Sequence, residues 1–284
     1  VFICANLWLK TLVFLFSASP RLCGKKFWRA SAIIAFIFAI PASAETITIS
    51  AAISLKESLT EIGKSYEAAT HDHLIFNFDA SGKLAMQIMQ GAPVDAFVSA
   101  DDEQMNKLAN TGKIKADTRR VIVNNSLVLI APIDEKDPPA GFADLGKIHD
   151  LKICIGEPKT VPAGHYAMQT LKAMKLDQAV ASRLVFGESV RQVLTYVEAG
   201  EVYAGIVYST DALLAKGKVK VIATADAGTH DVIEYPAAVV TASSHQEAAA
   251  KFLDYLATDQ AKAVFVARGF ATNSPRFPTT RPGP

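Results

Sequence analysis

Cysteine is nearly missing from this 284-residue chain: there are three, and two of them, Cys4 and Cys23, stand in an N-terminal stretch that reads as a leader. Cys154 alone remains in the body, so no internal disulfide can form there, and an exported protein of this sequence must rely on its core. Cys154 sits in the strand-like run Lys152-Ile153-Cys154-Ile155-Gly156 and is expected to be a small buried hydrophobe, not a nucleophile. Both tryptophans, Trp8 and Trp28, also fall in the leader. An excess of positive charge is missing too. Residues 1–44 carry five basic residues and no acid, and setting those aside leaves 24 Lys and Arg against 28 Asp and Glu. A net-negative body lacks the basic footprint that nucleic acid requires, so no nucleic-acid partner is expected. The sequence has no G-x-S-x-G elbow and no H-E-x-x-H pair, and Ser81-Gly82-Lys83 matches only the end of a phosphate loop. Repeats of solenoid period and low-complexity tracts are absent as well.

The leader reads as a secretory signal. Lys25, Lys26 and Arg29 form the charged region, and Ala30 to Ile40 an apolar region too short to span a bilayer as a helix. Pro41-Ala42-Ser43-Ala44 supplies the small residues of a cleavage site, so cleavage is expected after Ala44, with the mature protein in the periplasm. Residues 1–24 do not fit this pattern and are expected to lie upstream of the true start.

The body alternates strand and helix patterns. Thr46 to Ser50, Leu74 to Phe78 and Val94 to Val98 read as strands; Ser54 to Ala69, Leu84 to Gly91 and a segment capped by Asp101 and ending near Gly112 read as helices. After a strand at Ser126 to Ala131 and a polar turn at Asp134 to Pro139, the alternation repeats. Strands are expected at Ile153 to Ile155, Leu184 to Phe186, Ala204 to Tyr208 and Val219 to Ala223. Helices are expected at Pro162 to Lys175, Val190 to Ala199 and Asp211 to Ala215. Val232 to Thr241 reads as a strand with Pro236 marking an edge or bend. Helices at Ala248 to Leu256 and Gln260 to Arg268 follow, and the tail from Thr272 is aperiodic. This is an α/β chain with mostly parallel sheets covered by helices.

Two strand-to-helix turns in the first half carry serines, Ser54 and Ser81. In the second half, Pro162-Ala163-Gly164 and Glu188-Ser189-Val190 open helices after strands. Helix N-termini present backbone N–H groups and the positive end of the macrodipole, and in open α/β sheets they gather where ligands bind. Four of them converging on one cleft would hold a small oxyanion without a buried cation. Other constellations carry less. His71-Asp72-His73 has no third metal ligand nearby. Glu57 and Glu61 share a helix face and are expected to be a solvated surface, not an acid/base pair.

Eight segments then occur in one order: Ala51-Ala52-Ile53-Ser54-Leu55, Ala80-Ser81-Gly82-Lys83-Leu84, Gly91-Ala92-Pro93-Val94-Asp95, Val98-Ser99-Ala100-Asp101, Asn125-Ser126-Leu127-Val128, Val161-Pro162-Ala163-Gly164-His165-Tyr166-Ala167, Glu188-Ser189-Val190-Arg191 and Gly205-Ile206-Val207-Tyr208-Ser209-Thr210-Asp211-Ala212. Their order and spacing resemble the periplasmic molybdate-binding proteins of ABC transporters, the ModA family, over nearly all of residues 46–271. The resemblance implies a two-lobe type II periplasmic-binding fold with a ligand cleft between the lobes. Lobe one would comprise residues 45–127 and 233–284, and lobe two residues 128–232. It implies a solute-binding protein, not an enzyme, that captures molybdate or tungstate and delivers it to the permease subunits of an ABC importer. It implies further a monomer with no cofactor. Carried over by motif, Ser54 and Ser81 would give hydroxyl and backbone donors, Ala163 and Val190 backbone N–H groups, and Tyr208 its phenolic hydroxyl. Asp79 departs from the family pattern, standing two residues before Ser81 where a small residue is common, and His165 occupies a variable position expected to face solvent. The competing readings are a binder of another oxyanion or of an organic acid, for which an arginine clamp such as Arg191 would be expected, and an exported enzyme on this fold, which would need a base, nucleophile or metal in the cleft.

Overall fold

The computed structural model describes residues 44–272. The expected signal region and almost all of the tail from Thr272 lie outside those residues. The chain first forms β1 (Thr46–Ala52), α1 (Lys56–Thr70), β2 (His73–Asp79), α2 (Ser81–Met89), β3 (Ala96–Val98), α3 (Asp102–Asn110) and β4 (Arg120–Asn124). It continues through β5 (Leu127–Pro132), β6 (Ile153–Gly156), α4 (Pro162–Ala173), α5 (Asp177–Val180), β7 (Leu184–Gly187), α6 (Val190–Glu198), β8 (Ala204–Tyr208), α7 (Ser209–Leu214) and β9 (Val219–Thr224). It ends with β10 (Glu234–Val239), α8 (Gln246–Tyr255) and α9 (Asp259–Ala267).

Two five-stranded sheets result, ordered β2-β1-β3-β10-β4 and β7-β6-β8-β5-β9. In the first, β2, β1 and β3 pair in parallel, and β10 runs against both β3 and β4. In the second, β7, β6 and β8 pair in parallel, and β5 runs against both β8 and β9. Each sheet therefore has one reversed strand in the same position, and the expected mostly parallel architecture holds in both. The reversed strand is what moves the chain between sheets. The β4–β5 link, Asn125-Ser126, leads from the first sheet to the second, and the segment after β9 leads back into β10.

Local sequence explains the elements. On α1, Leu59, Ile62 and Tyr66 are buried at helical spacing, and the helix stops where His71 turns left-handed at φ 66° and returns its N–H to Glu67. The sequence pattern places this helix from Ser54, but it enters through a 3-10 turn at Ile53–Leu55. Asp101 caps α3, its side chain accepting from the Gln104 N–H. Strand β8 is buried along its whole length, as a central strand covered on both faces must be. Pro236 lies inside a central strand, where the register shifts between Tyr235 and Pro236, so of the two expectations it is a bend, not an edge. Strand β4 has no counterpart in the sequence reading, because Arg120-Val121-Ile122 is at most half-buried and its pattern is weak. Cys154 is buried and free, and burial pushes its thiol up to about 12, consistent with a packing role.

Candidate functional site

The structure brings all five sequence-named residues to one place. Ser54, Ser81, Ala163, Val190 and Tyr208 border a single cavity between the two sheets' domains, together with Ala52, Ile53, Asp79, Ala80, Ala100, Val161 and Pro162. Each of the five is at most 4 % exposed. Ser54 and Ser81 follow β1 and β2 of the first lobe. Ala163 and Val190 follow β6 and β7 of the second, and Tyr208 ends its β8. The sheet edges therefore face each other across the cavity, and the strand-to-helix turns supply its walls.

The donors follow from helix geometry. Ser81 and Val190 are the first residues of α2 and α6, and Ala163 is the second residue of α4. N–H groups in a first helical turn have no acceptor within the helix, so these point outward with the positive end of the dipole. The two serine hydroxyls are each held by a protein partner, and an N–H donor leaves the Ser81 proton free. Ser81 Oγ accepts the Ala100 N–H at 3.0 Å, and Ser54 Oγ lies 3.0 Å from the Tyr235 hydroxyl. The nearest protein acceptor for the Tyr208 hydroxyl is the Ala100 carbonyl at 3.5 Å, too long for a strong bond. Burial holds the Tyr208 phenol well above its ordinary value, so it remains a donor at any physiological pH.

Asp79 is the one charged residue among those bordering the cavity. Its carboxylate accepts from the Ala80 N–H at 2.7 Å and lies 4.0 Å from the Lys83 ammonium. Lys83 in turn bonds Glu188 of the opposite lobe at 2.8 Å. No arginine or lysine borders the cavity. The cavity is small, about 10 Å³. An arrangement of N–H and O–H groups with no cation at the cavity is suited to hold a small anion.

The lobes meet around this cavity. The Gly82 N–H donates to the Thr160 carbonyl at 2.9 Å across the cleft. A Cβ on Gly82 would lie 2.6 Å from both Cα and the carbonyl oxygen of Thr160, so only glycine permits this approach. Arg191 bridges Glu57 of the first lobe at 2.9 and 2.6 Å and Asp211 of its own lobe at 2.7 Å. Burial draws the Arg191 guanidinium down, but Glu57 and Asp211 outweigh it and hold it above its ordinary value. Burial likewise pushes against the Glu57 carboxylate, yet Arg191 keeps it below the usual range. Glu57 is thus not the solvated surface residue its spacing suggests, whereas Glu61 pairs with Arg268 at an exposed site. Arg191 is engaged by two carboxylates through three of its N–H groups and stands outside the cavity, so it is not a free clamp for an organic acid in that cavity.

His165 also differs from expectation. It is partly covered, with its Nδ1 3.3 Å from Glu103 of the opposite lobe, and it does not border the cavity. His71-Asp72-His73 forms a structural turn: Asp72 accepts from Tyr66 and from the Glu45 N–H, and His73 contacts Glu67. Among the described residues no group of three or more potential metal ligands comes together. Sequence reasoning missed Tyr235, whose hydroxyl supports Ser54 from β10. Its only signal is an aromatic hydroxyl within an otherwise apolar strand.

Comparison with known proteins bears on this geometry. The family model described as "Bacterial extracellular solute-binding protein" matches residues 47–271. The chain is 41% identical over 227 residues to YvgL of Bacillus subtilis (strain 168), covering 79% of this chain and 86% of that one; its name assigns it provisionally to the substrate-binding lipoproteins of ABC transporters. It is 37% identical over 239 residues to the molybdate-binding protein ModA of Haemophilus influenzae, covering 82% of this chain and 92% of that one. Among solved structures, the periplasmic molybdate-binding protein of Azotobacter vinelandii superposes with a TM-score of 0.71 at 22% identity, covering 80% of this chain and all of that one. At that identity the likeness speaks for the fold.

Proposed function

The chain belongs to the bacterial extracellular solute-binding proteins, among the ModA molybdate-binding proteins, and from that premise we propose that its cleft captures molybdate or tungstate for an ABC importer. Five groups would hold the ion: the hydroxyls and N–H groups of Ser54 and Ser81, the N–H groups of Ala163 and Val190, and the hydroxyl of Tyr208. One observation carries the reading: residues singled out separately along the sequence converge on one buried cavity that no cation borders. Charge-assisted hydrogen bonds from neutral donors to a dianion are short and strong. With the donors set on helix ends, the size of the ion decides how many can be reached at once. The protein performs no chemistry on its cargo.

Capture would proceed by closure of the two lobes about the chain crossings at the β4–β5 link and near Val232-Ile233. Lobe one then comprises residues 45–126 and 233 onward, and lobe two residues 127–232, because Leu127 already pairs with Tyr208 in the second sheet. The Gly82–Thr160 bond and the Glu57–Arg191 and Lys83–Glu188 pairs form only on closure. The closed protein would dock as a monomer on the permease, outside the cytoplasm. Export would proceed by cleavage after Ala44, and N-terminal sequencing of exported protein checks this by returning Glu45 first. For the ligand, the test is to equilibrate purified protein with molybdate, dialyse, and count molybdenum by mass spectrometry. One atom per chain is expected; none at micromolar molybdate would overturn the proposal.

A further inference from the structure

The hydrogen-bond direction at Ser54 can be read from the link between the sheets. Asn125 stands in that link. Its Oδ1 accepts the Ser126 N–H at 2.9 Å. A backbone N–H can only donate, so this contact fixes which end of the amide is oxygen. Oδ1 also accepts from Ser209 Oγ at 2.9 Å. The Nδ2 group must then donate both its protons, one to Thr210 Oγ1 at 3.0 Å and one to the Tyr235 hydroxyl at 3.1 Å.

Tyr235 is completely buried, at 0 % exposure. Having accepted from Asn125, its hydroxyl has one further partner, Ser54 Oγ at 3.0 Å. Its proton must go there, because a buried hydroxyl left without an acceptor is costly. Burial also raises the Tyr235 phenol, which keeps that proton in place. Ser54 Oγ therefore accepts, and its own proton has no acceptor in the protein other than whatever occupies the cavity.

We propose that Asn125 and Tyr235 are positioning residues that lock Ser54 as a donor toward the bound anion, so that Ser54 cannot accept from an anion that carries a proton. This rests on the function proposed above and deepens it. The same amide holds Tyr235 of the first sheet and Ser209 and Thr210 of α7 on the second, so the lock is complete only with these elements together. The five assigned groups are then all donors, which a fully ionised dianion matches, and Asp79, the one carboxylate bordering the cavity, already accepts the Ala80 N–H. A hydrogen phosphate ion that turns its O–H toward Ser54 meets another donor.

Calorimetric titration with molybdate and with inorganic phosphate, at mildly alkaline pH, tests this on wild type, Asn125→Asp, Tyr235→Phe and the double variant. In Asn125→Asp the carboxylate accepts from Tyr235, Ser54 must donate to Tyr235, and a lone pair turns toward the ligand. Molybdate affinity is expected to fall by about ten- to a hundredfold. Removing the Tyr235 hydroxyl from that variant frees the Ser54 proton again, so the double variant should bind molybdate about tenfold or more tightly than Asn125→Asp alone. Both carry the same added charge, which cancels in the comparison. Tyr235→Phe alone should leave molybdate affinity within a few fold and raise that for phosphate, because Ser54 can then turn to accept. A merely structural role would instead make every deletion additive and weaken both anions together. If Asn125→Asp does not fold, the Tyr235→Phe pair of titrations still decides, and phosphate affinity that falls alongside molybdate overturns the inference. A double variant no tighter than Asn125→Asp overturns it also. Wild type that binds no molybdate would overturn the proposed function, and this inference with it.

Discussion

Gly82→Ala separates closure from folding. The added methyl would lie 2.6 Å from the Thr160 backbone, and that backbone belongs to a turn that cannot rotate away as a side chain could. In the closed protein the α2 N-terminus and the Thr160 turn must therefore move apart. Overpacking of this kind costs about 1–3 kcal/mol. The Gly82–Thr160 hydrogen bond, 2.9 Å long, is lost or stretched, which costs about 1 kcal/mol more. The two together amount to about 2–4 kcal/mol against the closed state, or roughly thirty- to nearly a thousandfold in molybdate affinity. In the open, ligand-free protein the methyl meets nothing from the other lobe, and alanine favours helix over glycine by up to about 1 kcal/mol. Affinity should thus fall while the melting temperature of the ligand-free protein stays level or rises. Calorimetric titration beside a thermal melt reads both. Affinity within about twofold of wild type would refute the view that the Gly82–Thr160 approach is part of the binding-competent form.

Tyr208→Phe should weaken molybdate binding by about ten- to a hundredfold, the worth of one charge-assisted hydrogen bond, with an unchanged circular dichroism spectrum; an unaltered titration curve would remove Tyr208 from the site. Glu57→Gln removes the cross-lobe partner of Arg191 and should lower affinity by only about two- to fivefold, because the pair lies at the cleft rim; titrations at low and high salt should converge in the variant more than in wild type. Asp101 is buried with one carboxylate oxygen unpartnered, and burial pushes it up to about 6, opposed by the Gln104 N–H and the Ser99 hydroxyl and with Glu103 and His165 nearby. Its folded-state value stands above the unfolded one, so its contribution favours the fold at low pH and is lost as pH rises through about 6. Asp101→Asn keeps an α3 cap and should raise the melting temperature above about pH 7, with the gain vanishing near pH 4; an equal gain at both would contradict it.

Most of the architecture was legible because burial leaves a periodic trace. Leu59, Ile62 and Tyr66 mark one face of α1, and the unbroken apolar run of β8 marks a central strand. The site was legible for a different reason. Ser54, Ser81, Ala163 and Val190 each follow a strand and open or precede a helix, and chain topology brings such ends together. Tertiary pairing left no such trace. Glu57 reads as a surface acid until Arg191 arrives from a helix more than a hundred residues away. His165 likewise gains its partner, Glu103, from the other lobe. Strand β4 was hidden because its exposed Val121 and terminal Arg120 give no clean alternation, and its place is set by pairing with β10. Tyr235 could not be tied to Ser54, since the two are 181 residues apart and meet because β10 pairs with β3, the neighbour of β1.

The central claim is that fixed neutral donors, contributed by both lobes, select an anion by its size. Competitive titration measures it: wild-type protein saturated with molybdate is challenged with tungstate, sulfate and phosphate in turn. A smaller tetrahedral ion leaves some buried donors unpaired, each costing about 1–3 kcal/mol, so tungstate should displace molybdate at comparable concentration and sulfate and phosphate only at large excess. Displacement by sulfate or phosphate at concentrations comparable to molybdate would contradict the account and make this a binder of a different anion on the same fold.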